Sequence, residues 1–591
     1  MTRVELLGRA QGLVPALLGA SICWIILIWS MGKGYDFTDD AHYLVWISNP
    51  HAYDWSVSEF GFLWNPIYRL VGGDIKIFRL AGAVILSGNA AIFGWALSGT
   101  VAPLLRRHDR LTFVLAISTT SLWQFAYWIP TPGYNELNLC GLLLFSAGLA
   151  FAVPAAGLPS SERASKLPTV AKAALTGFGW CIVAFAKPPT AILAFFIGVA
   201  WVILLRPQRP ILFIFSAALF ACAFALAGIW AIDGEIQRFI QRKIMGLHML
   251  GVHSPTHGAN AMWRAAIDPF VDLWSQRKRL SIIVAVIASL LAVLLRLDGR
   301  RTWTANLLTL PVAIALSVKV ETWRAEGPLT ETYFASLVVP ALLLIALVLA
   351  LALSGWRTEE RRRSVAMACL LALLPTTYSL GSGSLLIYHA GQASIFLLSA
   401  FIVLATTAPA NQRAQVFAAT VTLSSFVTVA LLVGAMAAPY RLSSPMWNQT
   451  ERVEIGVHSA ALFVDKLTAD YIFGLQRAAS GHGFRFGTPV IDLTGVSPGT
   501  VFALGAEAPG APWLSGGYPG STAYVQETLS QVPREHLRHA WILTAPGTSD
   551  ALPASILTSL GLDFPGDYEV TGQACQGTPC AEHFLWKPKT E

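Results

Sequence analysis

Apolar residues along this chain gather into runs of about 20 separated by short polar breaks, the length at which a helix crosses the roughly 30 Å hydrocarbon core of a bilayer. Such runs fall near 13–31, 81–105, 111–129, 137–156, 170–186, 190–205, 211–232, 281–295, 304–318, 333–353, 365–380, 387–408 and 416–438. They predict an all-α polytopic membrane bundle of about thirteen transmembrane helices. Arg3 and Arg9 precede the first run as in a signal peptide, but no small-residue cleavage site follows and the run is long enough to span, so its N-terminus is read as inside. Beyond about residue 438 the texture changes. Gly, Pro, Ser and Thr punctuate short β-rich runs at 489–493, 500–504 and 539–543, with a helical stretch at 523–531. The chain thus divides into a membrane domain, 1–438, and a small soluble α/β domain, 439–591.

Composition agrees. Of 591 residues, 54% are hydrophobic and 13% charged, against about 25% charged in an ordinary soluble domain, which excludes a water-soluble enzyme. The net charge of +7 would point to nucleic acid in a soluble protein, but here the basic residues lie between apolar runs and topology explains them. With alternating spans, sixteen basic residues fall in inner loops, among them Arg106, Arg107, Arg206, Arg209, Arg300, Arg301 and Arg361-Arg362-Arg363. The short outer loops hold only Lys187, Lys319 and Arg324. This positive-inside asymmetry fixes the register and places the tail outside. One kinked helix across Ala186-Lys187-Pro188-Pro189 would reverse everything downstream and put Arg361-Arg362-Arg363 outside, so a hairpin is preferred there. Cys23, Cys140, Cys181, Cys222 and Cys369 lie in or beside apolar runs and read as small hydrophobes. Cys575 and Cys580 are the only pair in the tail and, in an oxidising compartment, are expected to form a disulfide. The triplet Asn448-Gln449-Thr450 fits a glycosylation sequon but arises easily by chance.

Two outer segments are unusually long, about 32–80 and 233–280, and long loops without a packing role tend to carry function. The first begins Tyr35-Asp36-Phe37-Thr38-Asp39-Asp40-Ala41-His42-Tyr43 and adds Tyr53, Trp55, Glu59, Trp64 and Tyr68. Its aromatics suit short interfacial helices, which would seat the acidic pair at the water–lipid boundary. Asp39 either caps a helix starting at Asp40 or acts as a general base beside a second carboxylate, and spacing alone favours the cap. In the second segment, Gln237–Leu250 forms a helix on which Arg238 and Arg242 lie one turn apart, with Lys243 beside them. That face fits a phosphate, or equally a solvated basic helix. Tyr134, Asn135 and Glu136 follow a tight turn on the same side. Lys187 tips its hairpin, either as a functional ammonium at membrane depth or as a snorkelling one. Tyr388 and His389 follow the Gly381–Ser384 loop. His248, His253 and His257 lack the carboxylates that would fix a metal geometry, and no P-loop, H-E-x-x-H or paired C-x-x-C is present.

This arrangement resembles the GT-C superfamily of integral-membrane glycosyltransferases. Thr38-Asp39-Asp40-Ala41-His42-Tyr43 is similar to the D-E-x-x-Y opening of the first loop in protein O-mannosyltransferases and lipid A aminoarabinose transferases, and Phe185-Ala186-Lys187-Pro188-Pro189 looks like their L-T-K-G/P-P element. Motif support is confined to roughly the first 200 residues. The resemblance implies a polyprenyl-phosphate sugar donor, a lipid, glycan or protein acceptor on the extracytoplasmic face, and transfer with inversion in a bacterial-type inner (plasma) membrane. By position, Asp39 becomes the base and Asp40 its partner, reversing the preference for a cap; the family often has Glu at the second position. Arg238, Arg242, Lys243, Lys187, Tyr388 and His389 become candidates for the donor phosphate. His42, Tyr43, Glu59, Tyr134, Asn135 and Glu136 become candidates for the sugar or acceptor. No organic cofactor, metal centre or nucleic acid is called for, while a divalent cation beside the donor stays an open alternative. A transporter or flippase of a lipid-linked saccharide is the rival reading, against which the chain shows no clear internal repeat and keeps most charges outside the spans. An inactive scaffold relative is a third, marked by indifference to loss of the acidic pair.

Overall fold

The computed structural model describes residues 3–100, 107–154, 167–253, 359–381, 389–405 and 410–589. The runs expected at 281–295, 304–318 and 333–353 lie outside these residues. The described helices of the bundle are α1 (Arg3–Ser30), α4 (Ile75–Thr100), α5 (Arg107–Thr120), α6 (Tyr134–Ala152), α7 (Thr169–Ala186), α8 (Pro188–Leu205), α9 (Pro210–Asp233), α11 (Glu359–Ser379), α12 (Ile395–Ala405) and α13 (Ala410–Ala437). Three more lie in the two long loops: α2 (Asp39–Ser48), α3 (Phe60–Leu70) and α10 (Ile236–His253). Seven of the described helices, α1, α4, α6, α7, α8, α9 and α13, are long and apolar enough to cross a membrane.

Helix α6 forms the axis of the bundle. Of its span 94% is buried, against 11% for α9, whose Ile211, Phe215 and Trp230 stay exposed on the outside. The α6–α7 contact is a backbone-to-backbone approach. A Cβ on Gly179 would stand 2.2 Å from the Phe145 nitrogen, and one on Gly148 2.2 Å from Thr176 Oγ1. Small residues permit this spacing where packing and not water drives association. The run at 111–129 does not stay one helix. The hydroxyls of Thr119, Thr120 and Ser121 donate to the carbonyls of Leu115, Ala116 and Ser118; after Thr120 the chain tightens into a 3₁₀ segment, Ser121–Tyr127, ending at Trp128 with φ 44°. Such back-bonding competes with the regular ladder.

The tail contains an antiparallel hairpin, β1 (Glu451–Ile455) with β2 (Ala460–Val464), and a four-stranded mixed sheet of order β3-β4-β6-β5, from β3 (Val490–Asp492), β4 (Trp541–Thr544), β5 (Tyr568–Gln576) and β6 (Ala581–Pro588). β3 and β4 are parallel and the other pairs antiparallel. Helix α14 (Lys466–Gly481) packs on β5, and a disulfide joins Cys575 to Cys580 across the turn between β5 and β6. The stretch 500–504, expected as a strand, is instead the end of α15 (Pro498–Ala503). Proline at the first helical position presets that turn, and every residue of the helix is buried, which removes the alternation a half-buried strand would show. The expected helix at 523–531 is α16 (Ser521–Ser530).

The tail shares its core with the loops of the membrane domain. Tyr35, Ala41, Phe60 and Trp64 belong to one buried cluster with Leu462, Tyr471, Val501 and Leu585, and Met249 of α10 belongs to a second with Ile491, Val525 and Ile542. Backbone bonds stitch the seam: Phe463 N–H donates to Gly32 at 2.9 Å, Gly34 to Phe463 at 2.8 Å, and Gly499 to Phe37 at 2.9 Å. The first long loop, residues 233–253 of the second, the α5–α6 turn, the α7–α8 tip and the tail therefore occupy one end of the bundle.

Candidate functional site

Asp36 and not Asp39 organises the start of α2. The helix begins at Asp39, with Thr38 before it making no side-chain cap bond. The buried Asp36 carboxylate accepts from Thr38 N–H (3.1 Å), Thr38 Oγ1 (2.8 Å) and Asp40 N–H (3.2 Å). Burial pushes its pKa up to about 7, the neighbouring Asp39 charge adding to the effect and the Thr38 hydroxyl opposing it.

The two acids that follow point to different partners. Asp40 is buried, its Oδ2 taking a 2.5 Å bond from Arg79 and its Oδ1 a 3.0 Å bond from Thr131 N–H. Arg79, fully buried in α4, also donates to Thr131 Oγ1 and to the carbonyls of Met31 and Gly34. Asp40 thus ties the first loop to α4 and to the α5–α6 turn. Asp39 remains 30% exposed and accepts from Tyr440 Oη at 2.8 Å and from the half-exposed Arg441 at 3.4 Å. Of the segment's three carboxylates, it alone reaches solvent.

Asp39 borders an aromatic cluster. Burial raises the Tyr43 phenol well above its ordinary value, with Tyr134 and Asp39 close enough to add to the shift. The Tyr43 and Tyr134 rings stand 5.9 Å apart, and Lys187 Nζ lies 5.4 Å over Tyr134 and 5.2 Å from the Tyr378 ring. Lys187 is buried at the α7–α8 tip, donating to the Tyr378 carbonyl at 3.1 Å. Burial brings its pKa down to about 7. Tyr378 Oη donates to Gln392 (2.9 Å), which His389 also approaches. His42, pushed down to about 4 by burial, meets Trp513 from the tail in a tilted ring contact at 5.7 Å. His42 Nδ1 and Asn135 Oδ1, on residues of or next to this group, are buried with no protein partner, and Glu136 Oε1, also unbonded, faces Gly82 of α4. Buried polar atoms of this kind are where a polar ligand is satisfied.

The proposed phosphate face on α10 is used internally. Arg242 is buried, pairing with Glu59 at 2.9 Å and Asp233 at 2.8 Å and bonding Ser56 Oγ, while Lys243 pairs with Glu59 and donates to the Val57 carbonyl. Two carboxylates already neutralise this charge, so Arg242 and Lys243 clamp the first loop to α9 and α10 and are not a berth for an incoming anion. Glu59, fully buried in the clamp, is likewise no sugar ligand. Arg238, one turn away, stays exposed. His253 meets Ser515 Oγ at 2.6 Å, and His248 meets Glu527 at 2.7 Å. Tyr388 and His257 lie outside the described residues. Among the described residues no group of three or more His, Cys, Asp or Glu side chains is placed to hold a metal ion.

Asp36, Arg79, Tyr378, Tyr440, Arg441 and Trp513 enter the site without having been singled out from sequence. Three carried a usable signal: Arg79 is a charge five residues into an apolar helix, and Tyr440 and Arg441 follow the last span. No protein-family model, no curated protein and no solved structure matches this chain.

Proposed function

We propose that the chain is a membrane glycosyltransferase of GT-C type, with about thirteen spans and the end that carries the tail facing the extracytoplasmic side, as the inner-loop arginines require. It transfers a sugar from a polyprenyl-phosphate donor to a hydroxyl of a lipid, glycan or protein acceptor. The acceptor oxygen attacks the sugar C1 from the face opposite the phosphate, the C1–O bond breaks with inversion, the electron pair leaves with the phosphate, and Asp39 takes the hydroxyl proton. A phosphate leaves without an acid, so the chemistry needs a base and a cation to receive the charge. Lys187 serves as that cation: burial brings its pKa down to about 7, and an arriving phosphate favours the charged form. Tyr43, Tyr134 and Trp513 offer faces to the sugar, and Asn135 and His42 offer the unbonded polar atoms.

What carries this reading is the division among Asp36, Asp39 and Asp40. Two are consumed in structure, and the one left accessible borders the aromatic cluster on which a buried lysine rests. The test is full-length protein in proteoliposomes with a panel of synthetic polyprenyl-phosphate hexoses and pentoses, monitored for release of free polyprenyl phosphate. Release that stops in Asp39→Asn supports the proposal. Movement of intact donor across the bilayer without cleavage would make the protein a transporter, and no consumption of any donor would reject both.

A further inference from the structure

A second cavity, remote from Asp39, lies on the tail. It has a volume of about 890 Å³, and Arg477, Arg485, Phe473, Phe486, Gly456 and Ser459 are among the residues around it. Among the described residues neither arginine has an ion-pair partner; Arg477 Nε turns only to the Phe473 carbonyl, at 3.2 Å, and both side chains are exposed. Phe486 is 64% exposed beside them. Two unpaired guanidinium groups next to exposed aromatic surface match an anion carried on an apolar body.

The position of the cavity narrows the occupant. Its Gly456 and Ser459 sit in the β1–β2 turn, and between them His458 packs directly on Gly73, two residues before α4 begins. The other end of the hairpin bonds Gly32 and Gly34, just past the end of α1. Both ends of the hairpin are thus moored to residues adjoining membrane-crossing helices. The cavity wall is thus tied to the start of α4 through the His458–Gly73 contact and two further residues. Leu70, before Gly73, and Val457, in the turn, are 85% and 56% exposed.

We infer that this cavity binds the phosphate headgroup of an anionic membrane phospholipid, with Arg477 and Arg485 on the phosphate and Phe486, Val457 and Leu70 against the acyl boundary. The contact would hold the tail down on the bilayer and is separate from the transfer site, since Asp39, Tyr43, Tyr134 and Lys187 are not among the residues around the cavity.

The full chain in nanodiscs of phosphatidylcholine, with or without phosphatidylglycerol, tests this by hydrogen exchange across residues 473–487. Slower exchange is expected only with phosphatidylglycerol. The preference for the anionic lipid should drop about thirtyfold in R477A/R485A, two arginines being worth about 1 kcal/mol each at an anionic surface. Donor turnover by that variant in neutral lipid should be unchanged, which separates this inference from the assignment of Asp39. Equal exchange in both lipids, or protection that survives the double substitution, would overturn it. So would equal protection from soluble glycerol 3-phosphate in phosphatidylcholine discs, which would make the occupant a free phosphate.

Discussion

Asparagine at position 39 and asparagine at position 40 should produce opposite defects, although the residues are neighbours. Asp40→Asn leaves the Arg79 guanidinium fully buried without its carboxylate. Breaking a buried pair by removing one partner costs about 3–5 kcal/mol. Arg79 keeps its bonds to Thr131 and to the Met31 and Gly34 carbonyls, so the lower end, about 3 kcal/mol, is expected. Asp39→Asn loses a 2.8 Å bond from Tyr440 and a longer one from Arg441, at a carboxylate 30% exposed. Solvent screening holds that loss to about 1 kcal/mol. On activity the order inverts. Removing a general base costs about 10²–10⁴ in rate, so Asp39→Asn should abolish transfer while melting close to the parent, and Asp40→Asn should melt lower yet retain turnover in the fraction still folded. The assays are heating followed by size-exclusion chromatography, and donor consumption per monodisperse protein. An Asp40→Asn/Arg79→Met double variant that regains stability relative to Asp40→Asn would show that the stranded cation is the cause. The reasoning fails if Asp39→Asn keeps full turnover, or if Asp40→Asn loses turnover with no change in melting.

Three further outcomes follow from the buried charges. Because burial brings Lys187 down to about 7, the donor KM should rise as the pH passes upward through about 7, where an ordinary lysine would hold its charge to about 10; Lys187→Arg should flatten that profile, and an unchanged pH dependence in the arginine variant would exclude Lys187. Asp36 has a folded pKa raised to about 7 from 3.8, so the folded state holds the proton more tightly and the stability this confers, complete below about 4, is lost as pH rises to 7. Melting of the parent relative to Asp36→Asn should accordingly worsen across that interval, and parallel curves would count against the shift. Arg242→Met takes the cation from the buried Asp233 and leaves Glu59 with Lys243 alone, and should cost about 3–5 kcal/mol with donor KM unaltered in the surviving protein; a higher KM at unchanged melting would return Arg242 to the donor site.

Helix positions were legible because their signal is one-dimensional: apolar run length marks α1, α4, α6, α7, α8, α9 and α13 whatever they pack against. The 3₁₀ segment after Thr120 was not, since it arises from hydroxyls bonding back on the ladder in a run that is apolar enough to span. Nor was α15, whose uniform burial erases both the strand and the helix period. At the site, local spacing located the acidic segment but could not apportion it. Which of Asp36, Asp39 and Asp40 is free depends on Arg79, Tyr440 and Arg441, which lie about 40 to 400 residues away and meet the acids only through the fold. Arg242 failed for the same reason. Helical spacing put it on a basic face, and the carboxylates that neutralise it come from α9 and from the first loop.

The tail matters to Asp39 through one close contact. Gly499 N–H donates to the Phe37 carbonyl and Tyr35 Oη to the Gly499 carbonyl at 2.8 Å, so α15 lies against the chain that leads into α2. A Cβ on Gly499 would stand 2.6 Å from Phe37 Cα and 3.1 Å from Ala41 Cβ. The Phe37 ring is also close, at 2.8 Å, but the nearest atom is backbone and cannot yield by rotation, so even alanine must lift α15 or shift the start of α2. Asp40 is anchored to Arg79 and resists, which concentrates the displacement at Phe37 to Asp39, the stretch bearing the base. Gly499→Val should therefore slow transfer by a factor approaching that of Asp39→Asn while the membrane helices keep their melting point, and limited proteolysis should cut residues 32–60 faster than in the parent. Reacting groups must be held to a fraction of an ångström for base catalysis to operate. A Gly499→Val protein that transfers sugar at the parental rate would show that the tail does not position Asp39.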